Sequence, residues 1–182
     1  MTIAIIDTET TGLNPMGNRL VAIGVGFLDD NGAMGKVILT NDSEETLLKE
    51  FWELVENESV DKIIGFNTDF DWQFIKLRSL YYRLKIKHFK KYEGRVDLRQ
   101  ILNGSNGRYQ KGTKLTDYCR FFGFDIEDDD FKGESVPELW NRYAEGNEDA
   151  LSEITYHLEK DLDRTFVIYK ILVECGLLEL KK

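Results

Sequence analysis

The stretch Ile3-Ala4-Ile5-Ile6-Asp7-Thr8-Glu9-Thr10-Thr11-Gly12-Leu13 constrains this chain more than any other. Ile3 to Ile6 form an unbroken apolar run, which reads as a buried strand. Side chains two apart on a strand share a face, so Asp7 and Glu9 point the same way at the strand's polar end. Thr10, Thr11 and Gly12 then turn the chain. Two carboxylates this close resist common ionisation unless a cation sits between them. The pattern points to a divalent metal site, with a pair of solvated acids as the alternative for so short a spacing.

The 182 residues fit one domain, 1–182, with a sizeable core. No apolar run approaches the roughly 18 residues that span a bilayer, so a membrane protein is not expected. Met1 leads straight into the first strand without a basic, then apolar, leader, and the expected location is cytoplasmic. Cys119 and Cys175 are too few for a disulfide framework and lack metal-ligand spacing.

Periodicity orders the elements. Leu20–Leu28 reads as a second strand and Met34–Thr40 as a third, joined by the turn signal Asp30-Asn31-Gly32. Asp42 and Glu45 form a plausible capping pair for a helix to about Asn57, in which Leu47, Leu48, Phe51, Trp52 and Val55 recur at helical spacing. Lys62 to Asn67 reads as a fourth strand, followed by a helix from Asp71 to about Leu84. Arg95 to Leu102 is a strand end or short helix, with Asp97 expected to cap the helical turn. Lys114 to Gly123 is a short amphipathic helix, the acidic run Asp125 to Asp130 a solvated loop, and Glu148 to about Leu172 the last helix. Strand, hairpin, helix, strand opens an α/β layer with a mixed sheet.

Three motifs in chain order carry a family resemblance. Asp7-Thr8-Glu9-Thr10-Thr11-Gly12-Leu13 resembles the first motif of the DnaQ-like, or DEDD, 3′-to-5′ exonucleases. Asn67-Thr68-Asp69-Phe70-Asp71 resembles the second, in which the Asp at the helix start binds metal; that residue is Asp71, while Asp69 is expected to cap the helix. Asp161-x-x-x-Thr165 resembles the last motif and makes Asp161 the fourth acid. The resemblance implies a ribonuclease H-like mixed sheet of about five strands flanked by helices. It also implies that Thr10, Gly12, Leu13, Asn67 and Phe70 hold the terminal nucleotide, although Phe70 equally suits the core and Asn67 a strand-ending turn.

The last motif departs from both subgroups of that family. One has His five residues before the Asp and the other Tyr four before it; here Tyr156 holds the first position and His157 the second. On a helix His157 shares the face of Asp161, whereas Tyr156 is rotated by about 140°. Imidazole also titrates near neutrality, which favours His157 as general base. All-oxygen ligands favour Mg²⁺ or Mn²⁺, and two such ions would activate a water and stabilise the departing 3′ oxygen.

The net charge of −9 is unevenly spread: residues 76–120 carry about +10 and the remainder about −19. Tyr81, Tyr82, Phe89, Tyr92 and Tyr109 are interleaved with the basic residues, which suits a groove for single-stranded DNA or RNA, or else a solvated basic face over core aromatics. The leading expectation is a metal-dependent 3′-to-5′ exonuclease that releases nucleoside monophosphates, with a polymerase or another replication or repair protein as a possible partner. The alternatives are a ribonuclease H-like structure-selective endonuclease and a catalytically silent nucleic-acid-binding or polymerase-associated module.

Overall fold

The computed structural model describes residues 1–29, 32–91, 93–103, 114–126 and 134–179. The expected features at Asp30, Asn31, Tyr92, Arg108, Tyr109 and Lys111, and most of the acidic run and the loop before residue 114, lie outside these.

β1 (Thr2–Thr10) is the middle strand. It pairs antiparallel with β2 (Leu20–Leu28), and β2 antiparallel with β3 (Met34–Thr40). On its other side β1 runs parallel to β4 (Val60–Gly65), and β4 parallel to the short β5 (Arg95–Asp97). The result is a mixed five-stranded sheet of order β3-β2-β1-β4-β5.

The alternation of β1 decides what each face meets. Ala4 and Ile6 pack against α1 (Glu44–Asn57) and α2 (Thr68–Tyr81), together with Leu47, Phe51 and Phe74. Ile3 and Ile5 face the opposite layer, made by α3 (Leu98–Asn103), α4 (Leu115–Phe121) and α6 (Glu148–Glu174), with Leu98, Tyr118, Leu162 and Ile168. α5 (Val136–Ala144) lies beside α6 and buries Leu139 against Val21, Ala22 and Ile154. With period two, Asp7 and Glu9 continue the α6 side and Thr8 the α2 side.

Gly24, the register partner of Asp7, governs how closely α6 can sit. A Cβ there would stand 2.9 Å from Leu162 Cδ1 and 3.0 Å from Leu158 Cγ. The bare glycine lets these two leucines seat on the sheet, and Asp161 is held between them in sequence.

Several local expectations are corrected. The N-cap of α1 is Ser43, whose hydroxyl accepts the Thr46 N–H at 3.3 Å; Asp42 instead accepts the Tyr143 hydroxyl, and Glu45 pairs with Lys49. β4 ends at Gly65, and α2 starts at Thr68 and stops at Tyr81. Residues 95–102 form both proposed elements, strand then helix, and Asp97 Oδ1 accepts the N–H groups of Arg99 and Gln100 as a cap does. α5 has no counterpart in the periodicity analysis, although Ser135 and Glu138 form a capping box and Pro137 lies in its first turn.

Part of the basic segment is engaged within the fold. Arg78 pairs with Glu44, Lys91 and Arg95 pair with Asp69, and Lys87 donates to the Val60 carbonyl. Phe89 is buried and Tyr82 donates its hydroxyl to Glu44. Among the described residues the second option, a basic surface over core aromatics, fits this segment better than a stacking groove.

Glu44 is a buried carboxylate with four donors. It accepts the Leu20 N–H at 2.7 Å, Arg78 Nε at 3.0 Å and Nη2 at 2.5 Å, and the Tyr82 hydroxyl at 3.0 Å. Arg78 Nη1 also donates to the Pro15 carbonyl at 3.3 Å. One ion pair thus fastens α1 and α2 to the loop that follows β1. Removing one partner leaves a buried charge, so Glu44→Ala is expected to lose about 3–5 kcal/mol of stability. A Glu44→Met/Arg78→Met double variant should recover only part of that loss in urea titrations, because the Leu20 N–H and the Tyr82 hydroxyl lose their acceptor.

Candidate active site

Four acids from three segments meet where β1 leaves the core. Asp7 and Glu9 come from β1, Asp71 from the first turn of α2, and Asp161 from the middle of α6. Asp71 and Glu9 are 3% and 9% exposed. Burial holds the Asp7 carboxyl well above its ordinary range, and the charges of Asp71, Asp161 and Glu9 push it further up, opposed by the backbone N–H of Thr8. Burial also raises Glu9, with its hydrogen bond to His157 acting against the shift. Asp71 is pushed up to about 7, again chiefly by burial.

Each neighbour has an identifiable function in holding these groups. Thr8 turns to the α2 side and donates its hydroxyl to Asp71 Oδ1 at 2.6 Å. The 6% exposed Arg164 donates from Nη1 to Asp161 Oδ1 at 2.8 Å. His157 Nδ1 lies 3.0 Å from Glu9 Oε1 and 3.9 Å from Asp161 Oδ2. Tyr156 is half exposed, with Lys160 Nζ 5.0 Å from its ring centroid, and stands outside this group. Among the described residues no three His, Cys, Asp or Glu side chains form a ready-made metal cage.

Asp69 is corrected from helix cap to ion-pair centre. Its carboxylate accepts from Lys91 at 2.7 Å, Arg95 Nε at 3.1 Å and Gln100 at 3.1 Å, which holds its pKa below the ordinary value despite partial burial. The cap position belongs to Asn67, in the left-handed conformation at φ 68° and without a side-chain capping bond. Asn tolerates that conformation better than most residues, and its N–H donates to Asp97 Oδ1 at 3.0 Å.

The residues expected at the terminal nucleotide are dispersed in character. Thr10 donates its hydroxyl to the Gly12 carbonyl at 2.9 Å and so shapes the turn. Leu13 is 86% exposed. Phe70 is partly buried, with its ring 5.1 Å from that of Phe74, so most of it belongs to the core. Thr8, Arg164 and Glu44 were missed by sequence reasoning. Thr8 had a signal, since the residue between Asp7 and Glu9 must face the other helix layer; a buried Arg on a helix has none.

A five-stranded mixed sheet with helices on both faces and acids at the end of its middle strand defines a ribonuclease H-like α/β protein. The RNase_H superfamily model matches residues 4–173, and the chain belongs to that superfamily. An uncharacterized protein of Methanocaldococcus jannaschii is 62% identical over 177 residues, covering 97% of this chain and 98% of its own length. Among solved structures, a family B DNA polymerase from Pyrobaculum calidifontis superposes with a TM-score of 0.73 at 17% identity. That likeness covers 95% of this chain and 24% of the polymerase chain, and it concerns the fold.

Asp71 gives a pH-dependent test. Its folded pKa, about 7 against the ordinary 3.8, means that the folded protein binds the proton more tightly than the unfolded chain. The stability it contributes is full below the unfolded value and is lost as pH rises through the folded one. Asp71→Asn is therefore expected to be more stable than the unsubstituted protein at pH 8 in chelator, with the gap narrowing below about pH 7 and closing only near pH 4. Thermal melts across that interval measure it.

Proposed function

We propose that this chain is a metal-dependent 3′-to-5′ exonuclease of the DnaQ-like type, acting on single-stranded DNA or RNA ends. The observation that carries the proposal is the convergence of Asp7, Glu9, Asp71 and Asp161, with His157 bonded to Glu9. Membership of the RNase_H superfamily supports a nuclease-type chemistry. On this reading residues 1–182 are one exonuclease domain working in the cytoplasm, alone or beside a polymerase or repair protein.

The donor set fits a hard divalent cation. It consists of carboxylate oxygens, which suit Mg²⁺ or Mn²⁺; burial first, and neighbouring carboxylates after it, raise the pKa of Asp7, Glu9 and Asp71, a cost of ionisation that a dication would offset. Asp7, Glu9, Asp71 and Asp161 would hold it. Two such ions supply Lewis-acid polarisation of a phosphodiester and a more acidic water.

The chain's own groups do the rest. When His157 donates Nδ1–H to Glu9, the neutral ring keeps its lone pair on Nε2 and can take a proton there. Thr8 and Arg164 fix the rotamers of Asp71 and Asp161, so the acids need not reorganise during the reaction. On this reading Leu13, exposed on the turn shaped by Thr10 and Gly12, would meet the terminal base, with Phe70 beside it, and the exposed Asn67 would bond the sugar or phosphate.

The test is digestion of 5′-labelled and 3′-labelled single-stranded DNA and RNA in Mg²⁺ or Mn²⁺, beside a circular DNA. A ladder shortening from the 3′ end, lost in EDTA and reduced on the order of 10³-fold in Asp7→Asn, is the expected result. Cleavage of the circle would instead indicate an endonuclease. Binding without cleavage of any substrate would indicate a silent nucleic-acid module.

A further inference from the structure

An aromatic groove lies on the same face and at the same end of the sheet as the acids. Glu9 pairs in register with Ala22, and Ala22 with Thr40. Thr40 is therefore two strand spacings, about 10 Å, from Glu9. From Thr40 two adjoining cavities of about 250 and 450 Å³ run along α5. Trp140 and Tyr143 line both, with ring centroids 5.2 Å apart.

Arg19 supplies the charge. Its guanidinium lies over Trp140, 4.7 Å from the ring centroid, and donates only to the carbonyls of Leu20 at 3.4 Å and Asp42 at 2.8 Å. No carboxylate among the described residues pairs with it, so its charge remains available to an anion. Its position is tied to the site. The Thr11 N–H donates to the Arg19 carbonyl, and the Arg19 N–H donates to Thr11 Oγ1, each at 3.0 Å. Two carboxylates share the lining, Glu148 and Asp42; Asp42 accepts the Tyr143 hydroxyl at 2.8 Å, and its carbonyl is the one that accepts from Arg19.

We propose that this groove holds the single-stranded portion of a nucleic acid upstream of the scissile phosphate, with a phosphate at Arg19 and a base against Trp140 and Tyr143; this rests on the nuclease reading above. Aromatic faces stack any base, and a guanidinium plane adds to such stacking. Bases within a duplex are stacked on one another, so only an unpaired strand can lay a base against these side chains.

Arg19→Gln and Trp140→Leu test it on a dinucleotide, a ten-nucleotide single strand and a blunt hairpin of the same sequence. The ratio of kcat/KM for the decamer to that for the dinucleotide is expected to fall about tenfold in each variant, through KM. The unsubstituted protein should prefer the single strand to the hairpin. An unchanged ratio would overturn the groove and leave the nuclease standing. Trp140 is partly core, so Arg19→Gln, on the loop, decides the matter if Trp140→Leu does not fold. If the unsubstituted protein cleaves nothing, the nuclease reading fails on its own, and anisotropy of the labelled decamer in Ca²⁺ tests the groove. Tenfold weaker binding by Arg19→Gln would then support it, and equal binding would overturn it.

Discussion

The cost of gathering negative charge at the end of a buried strand organises this structure. Asp7 and Glu9 are fixed side by side by the pleat of β1, and Asp71 and Asp161 are brought to them by helices on opposite faces of the sheet. Three of the four have a side-chain donor of their own: Thr8 for Asp71, Arg164 for Asp161 and His157 for Glu9. Asp7 has the backbone N–H of Thr8 against the charge of all three neighbours. Asp7 is therefore the acid on which its neighbours' charge weighs most.

The parts legible in the sequence were those with a local code. Ile3 to Ile6, Leu20–Leu28 and Met34–Thr40 could be bounded because apolar runs between turn residues have no other stable use. The positions of Asp71 and Asp161 came from motif resemblance, since a lone acid on a helix carries no signal of what it faces. Caps were less legible, because Asp42, Ser43 and Asp69 all have capping chemistry and tertiary partners decide among them. Asp42 is taken by Tyr143, which lies on the unforeseen α5, and Asp69 by Lys91, Arg95 and Gln100. α5 itself is nine residues with one buried side chain, too short for periodicity to reveal.

The division of charge along the chain shows the same limit. Residues 76–120 are basic in sequence, yet Arg78, Lys91 and Arg95 spend their charge inside the fold on acids from other segments. Linear charge counts cannot see such pairing, because the partners lie far apart in the chain. Arg19 is the reverse case. It sits in a loop without charge clustering, and its availability follows only from carbonyl partners and the ring beneath it. The charge that a fold leaves for an outside partner is therefore read from its unpaired cations rather than from its basic segments.

The interchange of Tyr156 and His157 follows from how α6 is seated. Leu158 and Leu162 settle on Gly24, which fixes the rotation of the helix at the level of Asp7. At about 100° per residue, a side chain one turn before Asp161 returns to the acids, while the one before that swings outward. His157 accordingly reaches Glu9, and Tyr156 lies half exposed beside Lys160. The rotation of the helix alone thus decides which of the two side chains reaches the acids, and in this chain it is the imidazole.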